Sequence, residues 1–261
     1  MKLGFVGAGT ITEAIVTGFL SQVSGDEAVI VSPKGAAIAA RLADRHSAVT
    51  IARDNQEVVD MADVLFLAVR PQIAEEVVRS VSFRHGQIIV SLVATIETSR
   101  LQSWIDADVK ITRAVPLPFV AERRGVTIVF PQDEAVRSFF AKLGTAVECR
   151  SQNEFDLLTT ASALMGTYFG ILEHAVGWMT GKGISESQAR TYLVSLFSSL
   201  AHTAQSSSSQ SLQQLRHDFS TKGGLNEQMF RDFEAGQGMK ALEIGLETLL
   251  ARVRSSGVKQ G

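Results

Sequence analysis

Six residues at the head of the chain, Gly7-Ala8-Gly9-Thr10-Ile11-Thr12, have the types and spacing of a phosphate cradle. They follow an apolar run, Leu3–Val6, and precede a segment in which Ile11, Ala14, Ile15, Gly18 and Phe19 recur at helical spacing. A glycine at position 7 allows a tight turn. One at position 9 lets a diphosphate approach the backbone amides of Thr10 and Ile11, where the helix N-terminus favours negative charge. Thr12 replaces the third glycine of the G-x-G-x-x-G pattern and predicts slightly looser packing of helix on sheet. The alternative is a glycine turn that merely joins a strand to a helix. Its place between a strand and a helix favours a dinucleotide.

The end of the next strand distinguishes the two nicotinamide dinucleotides, since an acid there accepts from a ribose hydroxyl and a cation pairs with a 2′-phosphate. The sequence reads Val31-Ser32-Pro33-Lys34, with no acid. Ser32 and Lys34 therefore predict NADP(H), with Asn55 a further neighbour and Arg53 a second cation. Lys34 as a plain surface lysine is the alternative. Further on, Val64–Val69 reads as a buried strand breaking into Arg70-Pro71-Gln72. Ala68, Val69 and Pro71 are expected to line the nicotinamide-ribose side, while Arg70 suits a phosphate neighbour or a rim residue equally.

Positioning these groups requires a sheet. Apolar runs at Leu3–Val6, Ala28–Ser32, Val64–Val69, Ile88–Leu92, Lys110–Ala114, Val126–Phe130 and Ala146–Cys149 predict strands, with helices over Ala36–Ala43 and Asp133–Leu143. Beyond Ser151 the texture changes. Glu154–Thr180, Ser185–Ala204 and Glu227–Arg254 predict long helices, Gln205–Ser211 a polar connection, and all five prolines lie before them. The expected fold is an α/β, Rossmann-type, doubly wound parallel sheet over 1–151 followed by an all-α domain over 152–261.

The 25 Lys+Arg against 27 Asp+Glu leave a charge of −2, which disfavours a general nucleic-acid binder. No apolar run approaches the roughly eighteen residues of a membrane span, so a cytoplasmic protein with no membrane partner is expected. The lone Cys149 excludes an intrachain disulfide and reads as a packed thiol. With five scattered histidines it predicts no metal site.

The chain resembles the pyrroline-5-carboxylate reductase family, NAD(P)H-dependent enzymes that make proline from a cyclic imine. The resemblance is carried by Gly4-Phe5-Val6-Gly7-Ala8-Gly9, Ser32-Pro33-Lys34, Asp54-Asn55, Val64 to Gln72, Arg113-Ala114-Val115-Pro116, Glu154-Phe155-Asp156, Leu215-Arg216, Lys222-Gly223-Gly224 and Phe233-Glu234-Ala235-Gly236. It implies a helical domain that interlocks with a second subunit, in homodimers or rings of dimers, each site using helices of both chains. It also implies a small carboxylate-bearing substrate.

The departures fall where the family holds that substrate. The R-x-M-P-N-T-P loop is Arg113-Ala114-Val115-Pro116-Leu117-Pro118, and the G-S-G-P-A-Y helix start is Ala163-Leu164-Met165-Gly166-Thr167-Tyr168. The S-P-G-G-T-T turn, whose threonines and amides hold the carboxylate, is Thr221-Lys222-Gly223-Gly224-Leu225-Asn226. Gly223 and Gly224 are expected to present amides to the carboxylate, helped by Thr221, Lys222 and the Asn226 side chain. Glu227 suits an iminium, or more simply the first turn of a helix. Tyr168 and Thr167 are the candidates for catalysis, against the commoner use of such a tyrosine in a core.

The reaction expected is hydride transfer from NADPH to the C=N carbon of pyrroline-5-carboxylate or a related imine. A catalytically silent NADP-binding sensor or subunit is the alternative. So is a dehydrogenase of another small amino or keto acid, although Asn153 to Thr180 lacks the lysine that hydroxy-acid enzymes of this plan place there.

Overall fold

The computed structural model describes residues 1–21 and 27–258. It divides into two compact units, 1–160 with 250–261, and 161–249. The expected boundary at 151/152 lies nine residues earlier than this division. The reason is α7 (Gln152–Ala161), whose Phe155 is buried with Ile128 and Cys149 of the first unit.

The first unit is an eight-stranded sheet in the order β3-β2-β1-β4-β5-β6-β7-β8. Its strands are β1 (Lys2–Val6), β2 (Ala28–Val31), β3 (Val49–Ile51), β4 (Val64–Leu67), β5 (Ile88–Ser91), β6 (Lys110–Pro116), β7 (Gly125–Phe130) and β8 (Gly144–Glu148). All pairs are parallel except β6 with β7. The expected doubly wound parallel sheet is present, with this one antiparallel pair for a physical reason. The eight residues between those strands, shaped by Pro118 into a 3-10 turn, are too few for a parallel crossover.

Helices cover both faces. On one, Ile15 and Phe19 of α1 (Thr10–Leu20), Leu42 of α2 (Ala36–Arg45) and Phe140 of α6 (Glu134–Ala141) pack on Phe5 and Phe66. On the other, Val58 of α3 (Asn55–Met61), Val77 of α4 (Pro71–Arg79) and Leu101 of α5 (Thr98–Ser103) pack on Leu65 and Ile89. Phe5 and Phe66 face each other on neighbouring strands and stack at 4.6 Å between centroids, with Phe140 edge-on to Phe66 at 6.3 Å.

The second unit is helical: α8 (Leu164–Thr180), α9 (Glu186–Ser206), α10 (Leu212–Asp218), α11 (Leu225–Ala235) and α12 (Gly238–Val258), whose end belongs to the first unit. Two of the expected long helices are each two. A turn at 162–163 separates α7 from α8, and Gly236-Gln237, with Gln237 at φ +64°, separates α11 from α12. Residues 207–211 form the expected connection. Within 161–249 only Leu172 and Ala189 are buried. The stretch Gln152–Thr180 is long and apolar enough to cross a membrane by length and composition, at mean hydropathy 1.2 over 18 residues. Counting uninterrupted apolar residues misses this. Glycines and a few polar residues punctuate the run without lowering its average below that level.

Candidate cofactor and substrate sites

The glycine turn joins β1 to α1. Gly7 has φ +103°, and a Cβ there would lie 2.4 Å from the Ala68 carbonyl oxygen, so only glycine fits between the ends of β1 and β4. Gly9 is the N-cap of α1 with ordinary extended backbone, φ −102°. A Cβ at Gly9 would meet nothing within 4 Å and would project into open space. Thr10 is exposed and Ile11 half-buried at this helix start. Thr12 corrects its expectation. It is buried, and its hydroxyl donates to the Gly7 carbonyl at 2.8 Å, so it ties the turn to the helix rather than loosening the packing.

The end of β2 is stitched to the same turn. The Ala8 amide donates to the Lys34 carbonyl at 3.2 Å, and Gly35, at φ +92°, lies so close that a Cβ would sit 2.2 Å from the Ala8 carbonyl oxygen. The Lys34 side chain is exposed beside the cradle. Ser32 is placed differently from its expected role. It is buried, its hydroxyl donates to Asn55 Oδ1 at 2.8 Å, and it accepts from the Lys34 amide at 3.3 Å. Ser32 and Asn55 thus shape the loop, and Lys34 is the group that faces solvent. Arg53 is also committed, since its amide and Nε both donate to Glu57 Oε2 at 2.7 and 3.2 Å. Asp54 caps α3 by accepting from the Glu57 amide.

Ala68 donates its amide to the Val6 carbonyl at 2.8 Å, extending the β1–β4 pairing by one step to the carboxyl edge of the sheet. Val69 follows half-buried, Arg70 is the exposed N-cap of α4, and Pro71 occupies its first position, where no amide is needed. Gly7, Gly9, Lys34, Ala68, Val69 and Pro71 are therefore brought together on one edge of one unit. These residues fit a dinucleotide: a helix start with open amides, a glycine whose missing Cβ leaves room, and a cation instead of an acid after β2.

The same edge holds a group that sequence reasoning used only as part of a family pattern. Arg113, on β6 opposite Ser91 of β5, is 1% exposed. Its Nη1 donates to the Ala94 carbonyl at 3.3 Å and its Nη2 to Gln152 Oε1, while its plane lies over Phe155, 4.2 Å from the ring centroid. Nε has no partner. Burial pushes the guanidinium below its ordinary pKa, opposed by the charges of Glu97, Asp156 and Cys149. The signal available in the sequence was an arginine inside an otherwise apolar strand. Cys149 is a buried thiol, as expected, with its pKa pushed up to about 11 by burial first and by Glu154 second.

The second unit holds the remaining candidates. In the turn before α11, Gly223 takes φ +73°. Here the Gly223 and Gly224 amides and one of the two Asn226 side-chain N–H groups are engaged within the chain. The Gly223 amide donates to Glu227 Oε2 at 2.7 Å and the Gly224 amide to the Thr221 carbonyl at 2.8 Å. Asn226 Nδ2 donates to the Phe219 carbonyl at 2.7 Å. Glu227 already supplies the carboxylate that the turn was expected to receive, and the sequence signal was an acid three residues after the N-cap, the spacing of a capping box. Lys222 is exposed on this turn. On α8, Tyr168 is 40% exposed and packs edge-on against Phe169 and Phe197 at 5.3 and 5.9 Å. Thr167 lines a groove of about 380 Å³ with apolar residues of α8, α11 and α12. Neither has surroundings that mark a proton donor. Among the described residues no group of three or more His, Cys, Asp or Glu could hold a metal ion.

Comparison with known proteins agrees with this geometry. Residues 2–95 match the family model described as NADP oxidoreductase coenzyme F420-dependent. The chain is 25% identical over 251 residues to the pyrroline-5-carboxylate reductase of Pseudomonas aeruginosa, covering 92% of this chain and 91% of the relative. It is 26% identical to that of Haemophilus influenzae, covering 96% and 95%. In fold it matches the Streptococcus pyogenes 1-pyrroline-5-carboxylate reductase, with a TM-score of 0.85, 21% identity and 98% of both chains covered. It also matches the Plasmodium falciparum pyrroline carboxylate reductase solved with NADP bound, at TM-score 0.83, 17% identity and 98% coverage of both. The chain is thus similar in sequence, along both units, to pyrroline-5-carboxylate reductases and shares their fold, with its own residues where β6 ends, where α8 starts and in the turn before α11.

Proposed function

We propose that the chain is an NADPH-dependent reductase of the C=N bond in a small carboxylate-bearing imine, pyrroline-5-carboxylate to proline or a close relative of that substrate. The observation that carries this reading is the carboxyl-edge cluster. Gly7, Gly9 and the first-turn amides of Thr10 and Ile11 form a diphosphate cradle stitched through Ala8 to Lys34. When bound there, the reduced cofactor supplies a hydride.

Each part of the chain has a stated task. The Thr10 and Ile11 amides receive the diphosphate, and Lys34 pairs with the 2′-phosphate. Ser32 and Asn55 hold the loop that carries it, and Ala68, Val69 and Pro71 line the nicotinamide-ribose side. The imine carbon gains the hydride and forms a C–H bond, while the C=N π pair becomes the lone pair of a nitrogen already protonated as the iminium. Imines protonate readily near neutrality, so no dedicated acid is required. This agrees with the apolar surroundings of Tyr168 and Thr167.

The assembly we propose is a homodimer or a ring of dimers. The support is the second unit, where Phe169, Trp178, Tyr192, Leu212, Leu225 and Met229 are each more than half exposed, a density of apolar surface that a soluble monomer rarely carries. A single buried thiol suits a reducing compartment such as the cytoplasm. One observation favours a second reading, a silent NADP-binding subunit: the Gly223 and Gly224 amides of the turn before α11 already donate within the chain. Titration with NADPH and NADH, followed by turnover with pyrroline-5-carboxylate, separates the two. Binding with turnover supports the reductase, and binding without turnover on any cyclic imine supports the silent subunit.

A further inference from the structure

The sheet order β3-β2-β1-β4-β5 runs one way from β1 to β2 and the other way from β4 to β5. The chain accordingly leaves β1 through α1 on one face of the sheet and leaves β4 through α4 on the other. Between the two departing loops lies a crevice at the carboxyl edge, the place where open α/β sheets take their ligands. Two helices start there, α1 at Thr10 and α4 at Pro71, and both dipoles favour negative charge. The glycine turn is flanked on each side. Toward β2, the Ala8 amide reaches the Lys34 carbonyl. Toward β4, a Cβ at Gly7 would stand 2.4 Å from the Ala68 carbonyl oxygen and 3.3 Å from Val69 Cγ1. Arg70 is the residue after that contact.

Most arginines near this edge are already paired. Arg41 gives Nε and Nη2 to the two carboxylate oxygens of Glu13 at 3.1 and 3.0 Å, and Arg53 is held by Glu57. Arg70 differs. It is exposed at the N-cap of α4, and among the described residues its side chain has no hydrogen bond or ion pair; only its carbonyl is engaged, accepting from the Ile73 amide at 3.2 Å. Its loop, Ala68-Val69-Arg70-Pro71-Gln72-Ile73, contains no acid that could take the charge. Lys34 is the matching unpaired cation on the opposite side of the turn.

A dinucleotide carries one charge on each phosphate of its diphosphate, and the α1 start answers them with amides and a partial charge only. We propose that Arg70 pairs with the diphosphate from the β4 side, at the phosphate that leads to the nicotinamide, and so serves NADPH and NADH alike. Lys34, on the β2 side, tells the two apart. The assignment deepens the cofactor reading given above and rests on it. A guanidinium suits the task because its planar fork offers two N–H groups to two phosphate oxygens and stays charged at any working pH.

The test measures dissociation constants of NADPH, NADH, NADP+ and adenosine 2′,5′-bisphosphate by calorimetry for the wild-type protein, Arg70→Met and Arg70→Lys. Thermal unfolding without ligand checks the fold. Arg70→Met is expected to keep its melting temperature, because the side chain it replaces has no partner, and to weaken all three dinucleotides by about tenfold, the loss of a charge-assisted hydrogen bond. Adenosine 2′,5′-bisphosphate lacks the nicotinamide-side phosphate, so its affinity moves less than about twofold. Arg70→Lys keeps the charge without the fork and recovers part of the loss. Should Arg70→Met lose its melting temperature, Arg70→Gln repeats the measurement without the charge. Unchanged dinucleotide affinities overturn the proposal and leave Arg70 a rim residue. NADPH weakened with NADH unmoved overturns it in favour of the 2′-phosphate, and NADPH weakened with NADP+ unmoved or tightened overturns it in favour of the nicotinamide ring. A wild-type protein that binds none of the dinucleotides removes the cofactor reading itself, and this assignment with it.

Discussion

Replacing each glycine of the cradle by alanine separates what the fold needs from what the ligand needs. At Gly9 the backbone is extended, φ −102°, and an added Cβ meets no atom within 4 Å, so alanine is accommodated without a clash. The cost to stability is that of a poorer N-cap, within about 1 kcal/mol. The added methyl occupies open space at the N-cap of α1, the helix start that a diphosphate must approach to within hydrogen-bond distance. Losing one charge-assisted bond at about 1.5–3 kcal/mol weakens NADPH by roughly tenfold to a hundredfold or slightly more. At Gly7 the same substitution puts a Cβ 2.4 Å from the Ala68 carbonyl oxygen at φ +103°. Strain and overpacking there cost about 2–5 kcal/mol. Thermal unfolding without ligand and fluorescence titration with NADPH read the two effects separately. Gly9→Ala keeps its melting temperature and loses affinity, while Gly7→Ala loses both. A Gly9→Ala protein that binds NADPH like the wild type refutes the cradle.

Other perturbations read other parts of the structure. Lys34→Ala weakens NADPH by roughly tenfold and leaves NADH nearly untouched, which the ratio of the two dissociation constants measures. Phe66→Ala removes a ring stacked on Phe5 at 4.6 Å and costs about 3–5 kcal/mol in denaturant unfolding. Burial alone would raise the Asp133 pKa, but hydrogen bonds from Lys110, the Val136 amide and Thr112, with the Lys110 charge, bring it below the usual carboxylate range. A lowered folded-state pKa stabilises the fold above the unfolded value of about 3.9 and is lost as pH falls below it. Asp133→Asn therefore flattens the acid limb of the stability curve, and an unchanged limb in that variant would show that the contacts contribute nothing. Sedimentation at micromolar concentration is expected to give a dimer or a multiple of one, and a monomer would leave the exposed apolar helices of the second unit unexplained.

Much of the sheet was legible because buried strands between helices leave apolar runs bounded by glycine and proline. The strand at Val49–Ile51 was missed because it is three residues long with only Val49 buried, so no run or alternation marks it. Helix composition gave the second half its class but not its breaks. Ser162-Ala163 and Gly236-Gln237 turn without proline, and only the glycine carried a signal. The proposed cofactor edge was readable from Gly7, Gly9 and Lys34, because glycine backbone geometry and charge are visible in the sequence itself. Ser32 and Asn55 were read as ligand groups, but the Ser32 hydroxyl donates to Asn55 Oδ1, and Thr12, read as loosening the packing, donates to the Gly7 carbonyl. Arg113 meets Ala94 and Gln152, and no local pattern encodes that meeting. Glu227 shows the same limit at short range, since sequence places an acid on the first turn without saying that it closes on the Gly223 amide.

The central claim is tested most directly by following NADPH oxidation by the purified protein with pyrroline-5-carboxylate, beside NADH and a control without substrate. Substrate-dependent oxidation that is faster with NADPH than with NADH is the predicted result. Tight NADPH binding with no oxidation above the control, on this substrate and on 1-pyrroline alike, would contradict the account and leave a cofactor-binding protein without the reaction.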